Sequence, residues 1–309
     1  MISIITPVYN GEKFIESCFQ NVINQTFAEV EHIIVDGGSS DKTIDIIKHY
    51  ANQYPHIHWI SEKDQGQSDA MNKGIAIAQG AIIGILNVDD FYEPNLLSRI
   101  SELFKTLPEP SLIVGNCNTW DHQDKLIHIN KPRRLRSVDL LMKKQINDDG
   151  IIDAAFPVNP SAYFYHKSLH QQIGVYKVEE HYAMDIDFLL KAVKVAHVKY
   201  FNETWGNYRY YPGTKTFDDS TNGTSETRIQ QLFKDYAKTL SFREQWEIRI
   251  NRIIIFIPLR IFYFSKYPQR LPQSIMTRFM KSISYLNTNR TYATGTMRSL
   301  MNSTHVLSW

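Results

Sequence analysis

Between Ile2 and Leu107 the chain repeats one unit: a short apolar run, a polar turn, and a stretch with apolar residues at helical spacing. Residues 2–6 form the first run, closed by Pro7 and followed by apolar positions at Phe14, Ile15, Cys18, Phe19, Val22 and Ile23. Residues 30–35, 57–60 and 81–86 read as further strands, with helices expected over 41–50, 69–78 and, opened by Pro94, 95–107. The run at 81–86 is apolar throughout, which places it at the centre of a sheet. Strands alternating with helices in this way predict an α/β fold, a mostly parallel sheet with helices on both faces.

After Leu107 the regularity fades. Strands are expected at 111–114 and 162–165, a polar hairpin at 120–130, helices at 137–144 and 185–195, and an aromatic, strand-like segment at 197–211. The polar, glycine-containing stretch 217–225 is the first boundary signal. It divides the chain into a domain over 1–216, itself made of halves 1–115 and 116–216, and a helical, basic extension over 217–309.

The 309 residues suffice for a sizeable buried core. Cys18 and Cys117 lie far apart and form neither a disulfide framework nor a zinc motif, which suits a reducing compartment. The first residues carry neither a basic nor a long apolar leader, so a cytoplasmic location is expected. The net charge of +2 conceals an asymmetry. From 241 to 309 there are ten Lys/Arg and two Glu, or +8, leaving 24 bases and 30 acids, or −6, in the rest. Within the basic part, 253–264 reads IIIFIPLRIFYF, too short to span a bilayer and broken by Pro258 and Arg260. An apolar strip with cationic borders over 249–281 suits a helix lying on the inner, anionic face of a membrane. A core-facing helix is the alternative, and nucleic acid is not expected as a partner.

Ligands of open α/β sheets bind beyond the carboxyl ends of the strands. There the chain places Thr6 and Tyr9, then Asp36, then Asp89 and Asp90, although each could equally be plain turn chemistry. Neither common glycine-rich phosphate cradle is present: there is no GxxxxGK[ST], and the first turn reads Thr6-Pro7-Val8-Tyr9-Asn10-Gly11. Phosphate would then have to be neutralised by a divalent cation on a carboxylate pair. Mg2+-like ions bind through one or two carboxylates plus the substrate's own phosphates.

Four segments in order, Ile4-Ile5-Thr6-Pro7-Val8-Tyr9-Asn10, Ile34-Val35-Asp36-Gly37-Gly38-Ser39-Ser40-Asp41, Asp69-Ala70-Met71-Asn72-Lys73-Gly74 and Leu86-Asn87-Val88-Asp89-Asp90, resemble the family 2 glycosyltransferases of GT-A fold. The resemblance covers roughly residues 1–215. It implies a nucleotide-sugar-binding half followed by an acceptor half, and an inverting transfer from a UDP- or GDP-sugar to a hydroxyl of a glycan or lipid-linked acceptor. Cell-envelope polysaccharide biosynthesis is the implied setting. It also implies that Thr6 and Tyr9 line the nucleotide pocket, that Asp36 accepts from the base edge, and that Asp69 flanks ribose and phosphates. Asp90 would reach a Mn2+ or Mg2+ ion, with Asp89 on ribose or metal-bound water. Many members carry Arg where Met71 stands here, and Asn87 replaces the first carboxylate of the family's acidic motif. Lys73 could compensate for the missing cation, though a solvated helix lysine is the plainer reading.

The segment Ala183-Met184-Asp185-Ile186-Asp187 resembles the family's acidic pair at a helix start. Asp185 then falls on the general base, the alternative being a helix cap. Arg209, in Tyr208-Arg209-Tyr210-Tyr211, could supply the phosphate-side cation or serve only to pack against aromatic rings. A related nucleotidyltransferase would show a glycine-rich basic first loop, which is absent. A non-catalytic binding module would be compatible with Asn87, Met71 and Met184, while the retained aspartates favour an enzyme.

Overall fold

The computed structural model describes residues 1–142, 144–146, 152–154, 156–214, 217–218 and 224–250. The apolar strip at 253–264 lies outside them. The elements that position the cavity are β1 (Ile2–Val8), α1 (Ile15–Ile23), β2 (Val30–Asp36), α2 (Thr43–Gln53), β3 (Ile57–Ser61), α3 (Gln67–Ile77) and β4 (Ile82–Ile85). They continue with the short β5 (Phe91–Tyr92), α4 (Leu96–Phe104), β6 (Ser111–Trp120) and β7 (Leu126–Asn130). After α5 (Ser137–Leu141), β8 (Lys144–Ile146) and β9 (Ile152–Ala154) pair as a separate small ribbon. The chain then forms β10 (Tyr163–His166), α6 (Leu169–Ile173), α7 (Met184–Ala192), β11 (His197–Arg209) and α8 (Thr224–Thr239).

The main sheet runs β3-β2-β1-β4-β10-β6-β11-β5, with β7 added on β6. From β3 to β4 every ladder is parallel, because each strand returns through a helix. β10 is antiparallel to both β4 and β6, so β6 and β11 again point the same way as β1. The carboxyl ends of β1–β4, β6 and β11 therefore meet at one sheet edge, joined there by the amino end of β10.

Strand alternation decides what covers each face. Even-numbered residues of β1 pack toward α1: Ile2 and Ile4 join Cys18 and Val22, and Val8 joins Ile15 and Phe19. Odd-numbered Ile5 faces α3, where a Cβ on Gly74 would sit 2.5 Å from the Ile5 methyl. That glycine lets the helix backbone lie directly on the sheet. β4 is central as its unbroken apolar run requires, lying between β1 and β10.

The sequence pattern missed β5, α6 and the β8–β9 ribbon, all too short to show a period. It also left β6 short, since the polar residues from Asn116 onward alternate with Cys117 and pair with β11 and β7 instead of facing water. Asn116 and Asn130 are buried and Asn118 is tied to Asn207 at 3.0 Å.

α8 is attached to α7 through charge. Asp187 accepts from Tyr236 Oη at 3.0 Å, and buried Glu180, just before α7, pairs with Arg228 at 2.6 Å. The compact unit accordingly runs Met1–Asn251.

Candidate active site

At the shared carboxyl edge the structure opens a cavity of about 460 Å³. Tyr9, Asp64, Gln67, Asn87, Asp89 and Asp90 line it from the first half of the chain, and Asn159, His181, Met184, Asp185, Tyr208 and Thr214 from the second.

The loop after β4 turns tightly, with Asp90 N donating to Asn87 O at 3.1 Å. This folds Asp90 inward until only 4% of it is exposed. Its carboxylate accepts from Asn87 Nδ2 at 2.9 Å, Asn159 Nδ2 at 2.7 Å and the Arg209 backbone N at 3.2 Å. Gln67 Nε2 donates in turn to Asn87 Oδ1 at 2.9 Å, which fixes the Asn87 amide with its NH2 toward Asp90. Burial, reinforced by the neighbouring Asp89 charge, pushes the Asp90 carboxyl well above the usual carboxylate range despite these donors. Burial raises Asp89 as well, opposed by the Arg209 charge.

A buried carboxyl and a half-buried one thus stand side by side on the cavity wall. Among the described residues no cluster of three or more His, Cys, Asp or Glu side chains forms a complete metal cage. Two hard oxygen donors with the remaining positions left to phosphates and water are what Mg2+ and Mn2+ accept, so the residues present fit such an ion.

The other residues singled out from the sequence fall in different places. Tyr9 lines the cavity and is 65% exposed. Thr6, one position from Pro7 at the cavity wall, points to the opposite face. It is fully buried and bonds His32 Nε2 at 2.9 Å, because strand alternation turns its side chain toward α1. Asp36 is also fully buried, and its carboxylate is already engaged by the turn that follows. It accepts from Gly38 N and Ser39 N, both at 3.1 Å, from Ser39 Oγ, and from Ser61 Oγ at 2.7 Å. Asp69 sits in the first turn of α3, accepts from Gln65 N at 3.1 Å and pairs with Lys73 at 3.3 Å. Lys73 also pairs with Glu62 at 2.8 Å. Met71 is fully buried on the inner face of α3. The Arg209 side chain turns away to Asp124 at 2.8 Å and lies over the Phe91 ring at 5.5 Å. Its backbone N–H is what reaches Asp90.

Asp185 lies in the first turn of α7 and on the cavity wall. The N-cap position is Ala183, which makes no side-chain cap bond, and Asp185 follows it within the first turn. Tyr163 Oη donates to Asp185 Oδ1 at 3.3 Å. Burial, together with the Asp185 charge, holds that phenol protonated far above its ordinary range, keeping it a donor. Tyr163 and Tyr176 both stack on Phe188, so an aromatic platform supports the carboxylate from below. Asp187, two residues on, faces away from this wall and is held by Lys191 at 2.5 Å and Lys177 at 3.3 Å.

Asp64, Gln67 and Asn159 are among the cavity residues that the sequence reading did not single out. Asp64 follows β3, and the strand-end rule that found Asp89 would have found it too; a Cβ on Gly37 would come within 2.5 Å of its carboxylate, so Gly37 permits the approach. Gln67 opens α3 after Gly66, whose φ of 114° admits glycine readily. Asn159 carried no signal beyond its place before Pro160.

Comparison with known proteins bears on the family and the fold. The sequence pattern of glycosyl transferase family 2 matches residues 3–171. A PGL/p-HBAD biosynthesis glycosyltransferase from Mycobacterium tuberculosis is 29% identical over 260 residues, covering 82% of this chain and 90% of its own. EpsJ, an uncharacterized glycosyltransferase of Bacillus subtilis, is 28% identical over 221 residues, covering 70% of this chain. The chain spans 63% of EpsJ and 33% of the Escherichia coli glycosyltransferase YibD. Among solved structures, Staphylococcus aureus TarS 1-349 in complex with UDP-GlcNAc superposes with a TM-score of 0.60 at 16% identity, covering 82% of this chain and 73% of that one. The Pyrobaculum calidifontis mannosyltransferase PcManGT with GDP-Man and Mn2+ gives 0.57 at 14%, covering 95% and 83%. At that identity the structures share the fold alone. Because the family pattern spans more than half of the 309 residues, this chain belongs to glycosyl transferase family 2.

Proposed function

We propose that the protein transfers a sugar from a UDP- or GDP-linked donor to a hydroxyl of a glycan or lipid-linked acceptor, with inversion at the anomeric carbon. The observation that carries this reading is that Asp89, Asp90 and Asp185 line one cavity at the carboxyl edge of the sheet. The chemistry is assigned to residues 1–216, with 217–309 as an extension.

Asp89 and Asp90 would hold a Mn2+ or Mg2+ ion, which supplies positive charge against the departing diphosphate. Asn87, Asn159 and the Arg209 N–H aim the Asp90 carboxylate and offset part of what its burial costs. The amino end of α3 reaches the cavity wall at Gly66–Gln67, where the Gly66 N–H donates to Asp64 Oδ1 at 2.9 Å. Tyr9, exposed at the rim, offers a ring face to the nucleobase. Thr6, Asp36 and Asp69 act one step back: Asp36 orders the 37–39 turn, Asp69 the entry to α3, and Thr6 the seat of β1. Arg209 contributes through its backbone and its field. Asp185, held by Tyr163, removes the acceptor proton as the acceptor oxygen bonds to the anomeric carbon. The bond from that carbon to the diphosphate oxygen breaks on the opposite side, and the nucleoside diphosphate leaves with the electron pair. PcManGT bound to GDP-Man and Mn2+, and TarS bound to UDP-GlcNAc, support both the donor class and the cation by likeness of fold.

A thermal-shift screen of UDP- and GDP-sugars with and without Mn2+ tests the proposal. Stabilisation by one nucleotide only with metal present is expected. A chain that no nucleotide sugar stabilises and that turns over none of them refutes it.

A further inference from the structure

Residues 242–250, which follow α8, form a helix whose two faces differ in a way the transfer chemistry does not explain. Its inner face is satisfied. Ile248 is buried, Glu247 accepts from Arg136 Nη2 at 2.7 Å, and Glu244 caps the helix start by accepting from Ser241 N at 2.9 Å. Both acids of the helix are thus taken up by the protein itself.

The outer face carries a line of large apolar residues four apart: Phe242 at 76% exposure, Trp246 at 46% and Ile250 at 48%. Spacing of four keeps all three on one side of the helix. The two rings pack edge to face at 6.0 Å, and the Arg249 guanidinium lies over the Trp246 ring at 5.7 Å. Arg243 is exposed beside them. Apolar and aromatic residues interleaved with arginines, with every acid turned inward, are what a helix needs to lie in a bilayer interface.

We propose that this face docks the protein on an anionic lipid surface. The sequence that continues it decides between occupants. From Ile248 to Trp309 there is not one Asp or Glu, and there are nine Lys/Arg, at 249, 252, 260, 266, 270, 278, 281, 290 and 298. A nucleic acid would answer that charge but leave Phe242, Trp246 and Ile250 in water. A bilayer containing acidic lipid answers both at once. Among the described residues no helix is long and apolar enough to cross a membrane.

The test is co-sedimentation of the full chain with vesicles of phosphatidylcholine alone or mixed with phosphatidylglycerol. Binding only to the mixed vesicles, weakening with salt, is expected. Arg243→Glu with Arg249→Glu should lower the partition coefficient by at least about 25-fold, at about fivefold per arginine removed. Phe242→Ser with Trp246→Ser should lower it with little change in salt dependence. In the unaltered protein, brominated lipid should quench indole emission, and Trp246→Phe should remove that quenching. Partition of the variants equal to the parent, absence of quenching, or binding to duplex nucleic acid but not to vesicles would each overturn the proposal.

Discussion

β2 ends on Asp36 and the loop after β4 on Asp90, both fully or almost fully buried at the same sheet edge, yet the two carboxylates are spent differently. Asp36 receives four donor groups from its own turn and from Ser61, so its charge is used up in holding the turn closed. Asp90 receives three, lies next to a second carboxylate, and is pushed upward by burial and by that neighbour. One carboxylate is enclosed by its own turn, while the other stands beside a second carboxyl on the cavity wall, where we propose that a cation binds.

The sharpest break of this comparison is Asp90→Asn. It should lower turnover about 10³-fold, in the range of a lost transition-state electrostatic contact, and abolish Mn2+ binding followed by calorimetry. Asp185→Asn comes next: turnover should fall about 10²-fold while nucleotide-sugar affinity in thermal shift stays at the parent value. Equal losses of affinity and turnover would remove Asp185 from the role of base. Asp36→Asn should instead cost about 1–3 kcal/mol in urea unfolding, with a smaller effect on Mn2+ affinity. If its Mn2+ affinity collapses while stability holds, the contrast between the two loops is wrong.

A separate effect, on stability alone, lies beneath both loops. His32, buried between Thr6 and Phe19, is pushed down to about 3 by loss of solvent. The native state keeps it neutral while the unfolded chain protonates near 6.5. Its contribution is therefore full above the unfolded value and declines as pH falls from about 6.5 toward 3, by about 1.4 kcal/mol per pH unit. His32→Gln should flatten the acid side of the stability–pH curve by that slope.

Much of the fold was legible because β1 to α4 are built from periods long enough to count, and because their apolar runs are closed by turn residues. The second half was harder. β10 enters antiparallel, β5 has two residues, and β6 continues through polar residues whose partners lie on β11 and β7. The site divided in the same way. Asp89, Asp90 and Asp185 could be placed from the strand-end rule and from resemblance, but the direction of a side chain could not. Thr6 and Tyr9 are three residues apart and end on different faces, and Asp185 and Asp187 are two apart with only the first at the cavity. Asn159 becomes visible only when the amino end of β10 is brought beside the β4 loop.

The string Gln67–Asn87–Asp90–Asn159 has a polarity that only intact amides can supply, each NH2 aimed at the next oxygen. Hydrolytic loss of ammonia at position 87 or 159 would swap a donor for a third negative oxygen against Asp90, without altering the outline of the cavity.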